Sequence, residues 1–106
     1  MNIQTNKETE FDFQIQYCGG WGSEGKAKRL EKYITDCYPK AVSTLVKDNG
    51  FTRNMILTVK GDVLFDKVKG DGQITDEKIE GLLHQIKKIV EWWHLFMFGT
   101  IMCLIL

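Results

Sequence analysis

Apolar and polar residues alternate from the eleventh position: Phe11, Phe13, Ile15 and Tyr17 against Asp12, Gln14 and Gln16. A period of two predicts a strand with one buried face. Gly19, Gly20 and Gly22 break that pattern. Ser23 is the expected N-cap of a helix reaching about Tyr38, with Ala27, Leu30, Ile34 and Cys37 on one face and Tyr33 widening the stripe. Pro39 ends the helix, because the residue before a proline resists the α conformation. Val42 to Val46 is a short candidate strand, and Asp48-Asn49-Gly50 marks a turn. Met55 to Val59 is a further apolar run, with Gly61-Asp62 between it and Val63-Leu64-Phe65, as in a hairpin. After the loop Lys69-Gly70-Asp71-Gly72, Thr75 caps a second helix, and Asp76 and Glu77 suit its first turn. The buried stripe of that helix is Ile79, Leu82, Leu83, Ile86, Ile89, Val90 and Trp93.

The predicted order is β-α-β-β-β-α, an α/β domain of the α+β kind, with a strand–helix–strand start that requires a parallel crossover. With 106 residues, the chain holds one such domain. Residues 1–10 are polar and aperiodic and read as a flexible N-terminal extension. Residues 11–91 make the domain, and 92–106 form an apolar C-terminal tail.

The formal net charge is zero, which weighs against a nucleic-acid partner, since such a partner requires a basic surface. Lys26, Lys28 and Arg29 are read as a solvated helix face. The three cysteines follow no apolar leader, so a reducing, cytoplasmic setting is expected, without a disulfide framework. Their spacing, with His84 and His94 far apart, matches no zinc pattern, and no metal is expected. Asp71-Gly72-Gln73-Ile74 echoes a calcium loop, but that register puts Lys67 and Lys78 where oxygen ligands are needed. His84, between Glu80 and Lys88, reads as a surface residue.

Cys18 ends a strand and precedes a helix across glycines. A helix N-terminus favours the thiolate, the nucleophilic form, and glycines allow a tight turn that exposes the sulfur. The competing reading is a small core residue closing a strand. Ile15-Gln16-Tyr17-Cys18-Gly19-Gly20-Trp21-Gly22 resembles the redox loop of the selenoprotein W (Rdx) family. The segments Lys60-Gly61-Asp62-Val63-Leu64-Phe65, Lys69-Gly70-Asp71-Gly72 and Tyr38-Pro39 resemble that family in the same order, over residues 11–91. The resemblance implies a thioredoxin-like fold and a thiol redox role in cell redox homeostasis. Cys18 is then the catalytic residue in the loop of Gly19, Gly20, Trp21 and Gly22. Glutathione is implied as redox co-substrate rather than a bound cofactor, with glutathione or thioredoxin and protein thiols or disulfides as partners.

Trp21 stands where the family has its second chalcogen, so it marks either a recoded selenocysteine or a monothiol variant; a UGG codon at position 21 removes the first. Thr52-Arg53-Asn54-Met55-Ile56 also departs from the family, and there Arg53 and Ile56 bear on partner recognition. Cys37 lies a helix of about 20 Å from Cys18, too far to act as a resolving thiol, and reads as core packing. Cys103-Leu104-Ile105-Leu106 fits a prenylation box, and a relative within the wider family ends in a similar one. The run from Trp92 to Leu106 reaches about 22 Å as helix, short of a hydrocarbon core of about 30 Å. Three readings of this tail stay open: membrane association through a lipidated Cys103, packing on the domain or a partner, and a mispredicted exon end. The alternative function is a catalytically silent adaptor of the same fold that binds protein partners.

Overall fold

The structure is a computed structural model that describes the backbone of residues 5–20 and 22–105 and the side chains of these as far as Glu91. Trp21 and the side chains of Trp93 and Cys103 lie outside the described residues.

The strand of period two, β1 (Asp12–Tyr17), buries Phe13, Ile15 and Tyr17 and is the second strand of a four-stranded sheet. The sheet order is β2 (Val42–Lys47), β1, β3 (Met55–Val59), β4 (Asp62–Asp66). β1 pairs parallel with β2, Ile15 facing Leu45, and antiparallel with β3, Ile15 facing Leu57. The parallel pair needs a crossover, which α1 (Ser23–Cys37) supplies. α2 (Asp76–Ile105) follows β4 and a helical turn over Lys67–Asp71. The result is a single α+β domain with a mixed sheet.

The buried sheet positions Phe13, Ile15, Tyr17, Met55, Leu57, Val59 and Phe65 join Ala27, Leu30 and Ile34 of α1 and Ile79, Leu82, Leu83, Ile86 and Val90 of α2 in one core. Ile89 packs partly against it, and His84 is exposed. Thr75 caps α2: its hydroxyl accepts from Lys78 N–H at 3.3 Å.

The hairpin turn differs from the expected one. It consists of Lys60 and Gly61, both with positive φ (52° and 86°), and Asp62 already belongs to β4. Two left-handed residues give the twist that joins antiparallel strands in a two-residue loop. A bulge follows: Leu57 faces Phe65 and Thr58 faces Val63, leaving Leu64 as the extra residue. The bulge lets Phe65 point into the core while Val63 stays exposed.

Tyr38, just past α1, is fully buried, with its ring edge-on to Phe11 at 5.1 Å. Its hydroxyl donates to Glu91 at 2.7 Å, and the other Glu91 oxygen accepts from Asn6 N–H at 3.3 Å. Burial and this carboxylate push the phenol well above its ordinary range. Thr5 donates to the Cys37 carbonyl at 2.7 Å, and Lys40 pairs with Glu8 at 2.7 Å. Among the described residues no helix is long and apolar enough to cross a membrane.

Candidate active site at the β1–α1 turn

The chain leaves β1 at Cys18 and must reverse into α1. Gly22, the N-cap, makes that possible with a left-handed φ of 70°. Ser23 is therefore the first helical residue and not the expected N-cap. Its hydroxyl makes the smallest of the contributions that lower the Cys18 thiol pKa.

A second turn lies against the first. Asp48 N–H donates to the Tyr17 carbonyl, Cys18 N–H to Asn54, and Gly19 N–H to Gly50, each at 2.9 Å. The approach at Gly19 is close: a Cβ there would stand 2.4 Å from the Asp48 carbonyl oxygen. At Gly20 a Cβ would meet the Phe51 ring at 2.2 Å. The second turn carries Arg53 in the left-handed region, φ 61°, a conformation that is costly for a residue with a Cβ.

Asp48 holds that turn in shape. Its carboxylate accepts from Thr52 Oγ1 at 2.6 Å and from Asn54 Nδ2 and Gln16 Nε2 at 2.8 Å each. These donors, Thr52 first, keep its carboxyl below the usual carboxylate range. A depressed carboxyl contributes in full above its unfolded value of about 3.9 and loses that contribution as pH falls through the folded value. The turn is therefore held throughout the neutral range. Asp48→Ala removes all three acceptor bonds. It is expected to move the Cys18 thiol up toward ordinary values, read as thiolate ultraviolet absorbance against pH; an unmoved titration would refute this role.

Around the sulfur, Gly20 N–H donates to Sγ at 3.4 Å, and Sγ stands 3.6 Å from the Gly50 carbonyl oxygen. The carbonyl favours the protonated thiol and the N–H groups favour the thiolate. The donors prevail: Gly20 N–H, then Arg53 N–H, lower the thiol pKa, partial desolvation opposes them, and Thr52 N–H and the Ser23 hydroxyl add to the lowering. Only 4% of the Cys18 surface is accessible, and the residue lines a cavity of about 400 Å³ with Ser23, Lys26, Arg53, Lys67 and Gln73. The turn therefore does not expose the sulfur as expected: Cys18 is buried beside a backbone nest that favours the anion and borders the cavity on one side.

Of the residues expected at this site, Cys18, Gly19, Gly20 and Gly22 meet at the turn. Cys37 sits at the opposite end of α1, partly buried against the core. Burial first, and Asp36 second, push its thiol up. Lys28 pairs with Glu24 at 3.7 Å, while Arg29 pairs with Asp76 and lies over the Tyr33 ring at 5.8 Å. Lys26 is exposed like its neighbours on that face, and it also lines the cavity, donating to Gln73 Oε1 at 3.3 Å. Lys67 and Gln73 are additions that no local pattern marks. Among the described residues no group of three His, Cys, Asp or Glu side chains is placed to hold a metal ion. A comparison with models of known protein families finds none that matches, and a search of curated proteins finds no significant match.

Proposed function

We propose that this chain is a thiol redox protein of thioredoxin-like type, working through Cys18 and linked to glutathione or thioredoxin in a reducing, cytoplasmic setting. The observation that carries this reading is the Gly20 N–H donated to the Cys18 sulfur at 3.4 Å in the turn that leads into α1, a contact that favours the thiolate. Support for the fold comes from the β2-β1-β3-β4 order with a parallel β1–β2 pair, which suits a thioredoxin-like core. The resemblance of residues 11–91 to the selenoprotein W family points the same way.

As written, the chemistry is monothiol. The Cys18 thiolate attacks one sulfur of a disulfide, forming a mixed disulfide and releasing the other half as a thiolate that takes a proton from water. A second thiolate, such as glutathione, attacks the sulfur bonded to Cys18, frees it and forms the product disulfide. Cys37 takes no part, since α1 separates it from Cys18.

The low exposure of Cys18 favours a second reading, a catalytically silent adaptor that binds protein partners. One titration separates the two. Alkylation rates against pH, resolved per cysteine by mass spectrometry, are expected to give Cys18 a midpoint below about 8.5 and Cys37 one above it. A Cys18 that is inert, or that titrates at or above that value, would establish the adaptor.

A further inference from the structure

The cavity that Cys18 lines carries three cationic side chains and, among the described residues, no acidic one: Lys26 from α1, Arg53 from the turn before β3, and Lys67 from the turn after β4. The chain as a whole has equal numbers of acidic and basic residues, so this is a local excess. Nearby acids have other partners. Asp48 is held by Thr52, Asn54 and Gln16. Asp66 accepts from Val68 N–H and Lys69 N–H, Asp71 accepts from Asp66 N–H, and Glu24 pairs with Lys28. No ion pair to Lys26, Arg53 or Lys67 occurs among the described residues. Lys26 donates to the neutral Gln73 side chain, which lines the same cavity.

We propose that the cavity selects disulfides bearing carboxylates beside the reactive sulfur, with Lys26, Arg53 and Lys67 as the specificity-determining residues. The inference rests on Cys18 as the exchanging thiol and names the substrate class of that site. The three cations come from three separate elements that line the cavity together with Cys18. Three cations can pair with more than one carboxylate, which favours an acidic peptide segment over a small anion with a single charge. Attraction of this kind acts on encounter and orientation and weakens as salt screens it. The exchange itself is unchanged: the Cys18–S bond to the substrate sulfur forms, the substrate S–S bond breaks, and the leaving thiolate takes a proton from water.

The test uses the full chain and three peptides of one length, Gly-Glu-Cys-Glu-Gly, Gly-Gln-Cys-Gln-Gly and Gly-Lys-Cys-Lys-Gly, each as its symmetric disulfide. A small aliphatic disulfide with one carboxylate on each half, whose leaving thiol resembles that of Cys, forms a fourth arm. The rate of mixed-disulfide formation at Cys18 is followed by mass spectrometry. At low salt the acidic peptide is expected to react on the order of tenfold or more faster than the basic one, a ratio that shrinks as salt rises. Lys26→Glu, Arg53→Glu and Lys67→Glu, made singly, are each expected to reduce the acidic-to-basic ratio. Lys32→Glu, whose lysine pairs with Asp36 elsewhere on α1, is expected to leave it unchanged. An advantage for the acidic peptide over the small aliphatic acid supports a peptide partner, and the reverse overturns that choice. If the neutral peptide reacts but the acidic-to-basic ratio is near one, the proposed selectivity is overturned while the thiol reading stands. If no disulfide reacts, both are overturned.

Discussion

Gly19→Ala is expected to cost about 1–3 kcal/mol of stability and to raise the Cys18 thiol toward its ordinary value. The new methyl would sit 2.4 Å from the Asp48 carbonyl oxygen and 3.0 Å from that of Gly50, both backbone atoms that no rotamer change can clear. Relief requires the turn after β1 to move away from the turn 48–54. That movement stretches the Gly19–Gly50 and Cys18–Asn54 bonds and withdraws the Thr52 and Arg53 N–H groups from the sulfur. Gly25→Ala is the contrasting substitution. Its Cβ meets nothing within 4 Å on exposed α1, so a gain of about 0.5–1 kcal/mol is expected. Denaturant midpoints and the alkylation pH profile read both effects. A Gly19→Ala protein with wild-type stability and an unmoved thiol would show that the two turns do not position each other.

Ile15→Ala is expected to cost about 2–5 kcal/mol, and Ile15→Val about 0.5–1.5. Ile15 is wholly buried at the middle of β1, with Leu45 on one side, Leu57 on the other and the core beneath. The neighbours are backbone-paired strands that cannot collapse into the space left by the side chain, so a residual cavity adds to the lost burial. Urea unfolding with an unchanged slope would report the loss. A cost below about 1 kcal/mol for the alanine variant would mean that β1 is not the pivot of the core. Cys18 directly follows this strand, so a loosened β1 also loosens the sulfur.

The sequence pattern is informative where packing has a period. The alternation of β1, the stripe Ala27-Leu30-Ile34 and the stripe from Ile79 to Val90 all emerge as core, because burial on one side imposes period two on a strand and near 3.6 on a helix. Boundaries that depend on backbone conformation are less legible. Ser23 is a good cap chemically, yet the sharp reversal after Cys18 needs a left-handed residue, and Gly22 supplies it. The hairpin likewise centres on Lys60-Gly61, one residue earlier than the dipeptide suggests. Half of the cavity is legible too. Cys18 and its glycines are contiguous, whereas Arg53 and Lys67 arrive from turns flanking β3 and β4. Only the folded sheet makes them neighbours. Arg53 stands out in sequence solely as a departure from the selenoprotein W pattern.

Glu91 has a consequence for where the domain can be cut. One carboxylate fastens the Tyr38 hydroxyl and the Asn6 amide, clamping the leading segment, the exit of α1 and the middle of α2 at a single joint. Trimming the chain short of this residue would strand a phenol in an apolar interior with no acceptor, a defect that side-chain rearrangement cannot mend cheaply. A shortened chain therefore keeps the Tyr38 hydroxyl paired only if it retains Glu91.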